Sequence, residues 1–109
     1  MDTLPKYHCT HERLDCYRLL ADVARWFHTV RGSRRQGHLI DQGTRASESA
    51  VLNLAEGCYR TGKDRAYHLR IAQGSAAETV AVLDLLSVPG AAANQQLLRR
   101  AVAMIQRLP

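Results

Sequence analysis

A chain of 109 residues has room for one domain, and 46% apolar with only 6% aromatic residues favours a modest core of close-packed helices over a sheet sandwich. No segment approaches the roughly 20 consecutive apolar residues that span a bilayer, and the first residues lack a basic run followed by an apolar one, so the chain reads as neither membrane-embedded nor secreted and a cytoplasmic address is expected. Three cysteines, Cys9, Cys16 and Cys58, make no disulfide framework, and the formal net charge of +5 directs attention to polyanions.

Residues 1–9 read as an irregular amino-terminal segment. His8, Cys9, His11 and Cys16 are ligand types that zinc prefers, but their spacing matches no finger and no metal site is assigned. Thr10 is placed to cap a first helix, with Glu12 in its first turn, running to about Val30 before the breaker Gly32-Ser33. A second helix is predicted from about His38 to Tyr59. Thr61-Gly62-Lys63-Asp64, close to a capping box, opens a third that continues to about Ser87, where Pro89-Gly90 stops it. A fourth from about Ala92 to Arg107 puts Leu97, Ala101, Met104, Ile105 and Leu108 on one face. Connections of a few residues favour antiparallel neighbours, hence an all-α, up-down-up-down four-helix bundle over residues 1–109.

The second and third helices carry the most informative pattern. At 100° per residue, Gln42, Arg45, Ser49, Asn53, Glu56 and Arg60 fall on one stripe, beside an apolar face of Leu39, Gly43, Ala46, Ala50 and Leu54. Acid, base and amide alternate there as in a hydrogen-bonded polar seam between packed helices, with Glu78 contributed by the third helix. Gly57 and Gly74 each lower helix stability by about 1 kcal/mol relative to alanine, so both are predicted to mark close helix contacts. A catalytic or di-iron reading of Glu56 and Glu78 is disfavoured, because Tyr59 and Ala81 stand where such a site needs histidine and Arg60 is placed to neutralise Glu56. Ser49 and Ser75 have no base at a recognisable spacing, and Gly32–Gly37 lacks the lysine of a phosphate loop. No enzymatic activity and no cofactor are expected.

Leu39, Gln42, Arg45-Ala46, Ser49, Asn53-Leu54-Ala55-Glu56-Gly57 and Arg60, followed by Leu69, Ile71-Ala72, Gly74-Ser75 and Glu78, resemble the pattern of the four-helix-bundle proteins encoded in intervening sequences of 23S ribosomal RNA genes. The similarity runs from about Leu14 to Leu86. Relatives of that family include the accessory variability proteins of diversity-generating retroelements. The resemblance implies a four-helix bundle, closed rings of five copies, and relatives that bind nucleic acid and a reverse transcriptase.

The first helix bears two apolar stripes, one with Leu14, Tyr17, Leu20, Ala21, Ala24 and Phe27 and a second with Leu19, Val23, Trp26 and Val30. Together they cover more than the roughly 100° arc of a helix facing one core, so Leu19, Val23, Trp26 and Val30 are the expected subunit interface, and the resemblance implies that the assembly is a homopentamer. In an up-down bundle Arg31, Arg34 and Arg35 gather at one end and Arg60, Lys63 and Arg65 at the other, with Arg99 and Arg100 on the fourth helix. All but Lys6 and Lys63 of the fifteen basic residues are arginine, a composition suited to phosphate contact. The leading expectation is a non-enzymatic, oligomeric RNA- or DNA-binding accessory protein. The alternative is a homo-oligomeric interaction scaffold that binds protein and no nucleic acid.

Overall fold

The computed structural model describes residues 3–109, within which the chain forms four α-helices and no strand: α1 (Asp15–Phe27), α2 (Gly37–Cys58), α3 (Gly62–Leu85) and α4 (Ala91–Gln106). Met1 and Asp2, part of the segment expected to be irregular, lie outside the described residues. None of the helices is long and apolar enough to cross a membrane.

The start of α1 differs from the sequence expectation. Thr10–Arg13 form a separate 3-10 turn, Leu14 is extended (φ −85°, ψ 128°), and the α-helix begins only at Asp15. Local bonds explain the break. The Glu12 carboxylate accepts the Cys9 N–H at 2.7 Å, and the Thr10 N–H donates to the Tyr59 hydroxyl at 2.7 Å, which ties the turn to the end of α2. At its other end α1 stops three residues early, with Thr29 Oγ1 donating to the Trp26 carbonyl.

Each helix has two neighbours. α1 packs against α2 and α4, and α3 packs against the same two. The core lies among them: Leu20, Val23 and Phe27 from α1, Ala50 and Leu54 from α2, Ala72, Ala76 and Leu83 from α3, and Leu98, Ala101 and Ile105 from α4. On α2 the apolar face is the one read from the sequence, with Gly43, Ala46, Ala50 and Leu54 all buried. On α4 the buried stripe is Asn94, Leu98, Ala101 and Ile105, together with Gln95. Leu98 rather than Leu97 reaches the centre, and two polar residues join it with their hydrogen bonds made: Asn94 Nδ2 donates to the Gly90 carbonyl at 2.9 Å at the start of α4, and Gln95 Nε2 donates across to α3, to the Val80 carbonyl at 3.0 Å and to Asp84 at 2.7 Å.

The turn into α4 requires glycine. Gly90 adopts φ 90°, and a Cβ there would sit 3.1 Å from the indole nitrogen of Trp26.

Candidate nucleic-acid interface and polar seam

The connection between α1 and α2 is a short, hydrogen-bonded arginine platform. Ser33 and Gln36 close it: the Ser33 N–H donates to Gln36 Oε1 at 3.0 Å while the Gln36 N–H donates back to the Ser33 carbonyl at 3.0 Å. Arg34 and Arg35 ride on the resulting 3-10 turn, both exposed, with no carboxylate partner among the described residues. Arg31 is anchored beside them. Its Nη1 donates to the carbonyls of His28 (3.3 Å) and Val30 (3.1 Å), free acceptors beyond the last turn of α1, which leaves the rest of the guanidinium open to solvent. Next to Arg31 a cleft of about 220 Å³ is lined by Trp26, Thr29, Val30, Val88 and Pro89.

The opposite end is built differently. Arg60 Nε donates to Glu56 Oε2 at 2.8 Å, and Arg65 is fully committed to the backbone: Nη1 to the Gly57 carbonyl (3.1 Å), Nε and Nη2 to the Pro109 carbonyl (3.1 and 2.8 Å). Arg65, expected from the sequence to face a phosphate, instead caps the end of α2 and pins the end of the chain. Lys63 remains exposed at this end. On α4, Arg99 and Arg100 are exposed, Arg99 flanking a groove of about 280 Å³ with Ala77, Val80 and Val102.

The polar stripe becomes a connected strip along the α2–α3 junction. His68 Nδ1 meets Asn53 Oδ1 at 3.0 Å, Asn53 Nδ2 donates to the Ser49 carbonyl (3.0 Å) and hydroxyl (3.2 Å), and the Ser49 and Ser75 hydroxyls lie 2.9 Å apart. Gln42 Nε2 donates to Glu78 Oε2. The strip is not buried, however. The Glu56 and Arg60 side chains are 46% and 47% exposed, Glu78 is exposed, and Arg45 bonds to no described residue. Alternation of charge at helical spacing specified that these groups share a face; it did not specify which way the face points.

The two glycines predicted to mark close contacts part company. A Cβ on Gly57 would lie 2.9 Å from Leu69 Cδ2, the close approach expected, whereas Gly74 is exposed with nothing within 4 Å of that position. Gly43 is the tighter site, because a Cβ there would run into the Phe27 ring and sit 3.1 Å from Val82 Cγ1. Of the four residues expected at a subunit interface on α1, two are corrected. Val23 is wholly buried, Val30 is buried, and Leu19 and Trp26 are half-buried against the core, Trp26 meeting Phe27 edge-on with ring centres 5.0 Å apart. Much of the second apolar stripe of α1 is buried within the bundle, since a helix between two neighbours, here α2 and α4, needs a wider arc than a helix facing one.

Sequence reasoning missed a groove of about 270 Å³ between α1 and α2, lined by Tyr17, Ala21, Ala24, Val51 and the 67%-exposed Leu52 and bridged by a hydrogen bond between His28 Nε2 and Glu48 Oε2 at 3.1 Å. The isolated His28 carried no signal, because its partner lies on another helix. Two thiols sit in the same region of the core, and burial raises the pKa of both Cys16 and Cys58, which keeps them protonated and poorly nucleophilic.

The described residues form an all-helical protein with an arginine platform that has no carboxylate partner among them and a polar strip along one flank. The model of the 23S rRNA-intervening sequence protein family matches residues 12–107, and the chain belongs to that family. No curated protein and no solved structure matches it significantly.

Proposed function

We propose that this chain is a non-enzymatic, oligomeric nucleic-acid-binding accessory protein that contacts phosphates through the bundle end carrying Arg31, Arg34 and Arg35. The observation that carries this reading is the asymmetry between the ends: these three arginines have no carboxylate partner among the described residues, while Arg60 is paired with Glu56 and Arg65 donates from all three guanidinium nitrogens to backbone carbonyls. Arginine presents a planar fork of donors matched to phosphate oxygens. Three such residues in one helix connection offer a positioning contact with little capacity to read base identity.

An up-down-up-down course supports placing the α1–α2 and α3–α4 turns at that same end. The pairs Asn53–His68, Ser49–Ser75 and Gln42–Glu78 pair falling numbers on α2 with rising numbers on α3, and Arg31 shares a cleft with Val88 and Pro89. For assembly into a ring, the apolar groove around Leu52 is the favoured contact surface in place of the α1 stripe. That groove also favours the second reading, a protein-binding scaffold, in which the partner is a protein such as a reverse transcriptase.

The deciding experiment is filter binding of a structured RNA and of a DNA duplex across a salt series. If one platform of three arginines neutralises three duplex phosphates, the log–log slope per engaged subunit is about −2.7, and replacing Arg34 and Arg35 with serine flattens it by about 1.8. Replacing Lys63 leaves the slope within about 0.9 of the parent. Absence of any retention of RNA or DNA at low salt by protein of unchanged helicity and size moves the assignment to the scaffold.

A further inference from the structure

The polar strip opens midway into a cleft of about 280 Å³ lined by Gln42, Arg45, Ala46, Ser49, Ser75 and Glu78. A cation and an anion line it together, yet Arg45 and Glu78 form no ion pair within 4 Å; among the described residues Arg45 has no partner, and Glu78 receives only the Gln42 amide on one oxygen. Opposite charges that share a cleft and stay apart leave a gap whose two sides call for a ligand carrying both complementary charges.

The hydrogen-bond chain feeding this cleft has a fixed direction. Asn53 Nδ2 points at the Ser49 carbonyl, which only accepts, so Asn53 Oδ1 faces His68 and the His68 Nδ1–H donates to it. Ser49 Oγ accepts from Asn53, and the Ser49 and Ser75 hydroxyls share one hydrogen bond at 2.9 Å. Two hydroxyls bring two hydrogens and their mutual bond consumes one. The other hydrogen has no acceptor among the described residues and belongs to a side chain lining the cleft. The cleft therefore holds one donor pole, Arg45 with the surplus serine hydroxyl, and one acceptor pole, the free Glu78 oxygen with Gln42 Oε1.

We propose that this cleft is a binding site for a small zwitterion of the α-amino-acid type, its carboxylate on Arg45 and the serine pair and its ammonium on Glu78. A phosphate is disfavoured by the Glu78 carboxylate, and a simple cation by Arg45. The site is independent of the arginine platform and of nucleic-acid binding.

The test is a titration of the full chain with glycine, acetate and methylammonium, followed through backbone amide resonances and taken to the solubility limit of glycine. Glycine is expected to shift Ser49 and Ser75 saturably, with acetate and methylammonium each at least about tenfold weaker, because each forfeits one set of charge-assisted bonds. Arg45→Ala and Glu78→Gln should each weaken glycine at least about tenfold, while Arg70→Ala, on the exposed part of α3 and outside the cleft, should not alter it. Unchanged helicity and thermal midpoint in the variants separate lost binding from lost fold. Acetate binding as tightly as glycine, glycine binding undiminished in Arg45→Ala, or no saturable shift at all would each overturn the proposal.

Discussion

Alanine substitution at three helical glycines separates what helix propensity does from what packing does. Gly→Ala inside a helix gains about 1 kcal/mol from propensity alone, so any departure reports the surroundings. At Gly43 the new methyl meets the Phe27 ring and Val82 Cγ1, and Phe27, 1% exposed, has nowhere to move. Overpacking of this kind costs about 1–3 kcal/mol, and the depth of the overlap puts Gly43 at the upper end, so a net loss of about 1–2 kcal/mol is expected. At Gly57 the obstacle is the Leu69 side chain at the edge of the core, which can shift, and the two terms should cancel to within about 1 kcal/mol. At Gly74 the space is open and the full gain of about 0.5–1 kcal/mol should appear. Urea unfolding at fixed protein concentration measures all three, and the spread between Gly43→Ala and Gly74→Ala should be about 1.5–3 kcal/mol. A Gly43→Ala protein more stable than the parent would refute the packing argument. A destabilised Gly74→Ala protein would refute the open surface and reveal a second chain lying against α3.

Four further outcomes follow from the same geometry. Glu56→Ala should lower stability by only about 0.3–0.5 kcal/mol, the worth of a half-exposed i,i+4 pair, and a loss near the 3–5 kcal/mol of a buried pair, read from urea midpoints, would contradict the exposure seen here. Arg65→Ala should cost about 1.5–3 kcal/mol by releasing the Gly57 and Pro109 carbonyls, with no effect on a nucleic-acid salt slope. Leu52→Glu should reduce the particle size by light scattering while circular dichroism stays unchanged; an unaltered assembly would remove the α1–α2 groove from consideration as the contact surface. Alkylation should proceed fastest at exposed Cys9 and slowest at Cys16. Because burial holds the Cys16 and Cys58 thiols above the ordinary 9.0, the unfolded chain releases those protons first, so their effect on stability is absent below pH 9.0 and stability falls as pH rises through that value.

Periodicity in this chain was sufficient to place four helices within a few residues of their ends, the buried face of α2, the ion pair of Glu56 with Arg60 and the close approach at Gly57, because each depends on residues within a turn or two of one another. The linked motif residues from Leu39 to Glu78 also carried the family, whose model matches residues 12–107. What sequence could not supply was the direction each face takes and what lies across from it. Whether Gly74 meets a neighbouring helix, whether Arg65 faces a phosphate or the Pro109 carbonyl 44 residues away, and how much of the second stripe of α1 the bundle itself buries are decided by partners distant in the chain. The helical repeat fixes which side chains travel together. Only packing of the four helices, where burial of one face exposes another, sets which of them are consumed by the fold and which, like Arg34, Arg35 and Arg45, are left available to a ligand.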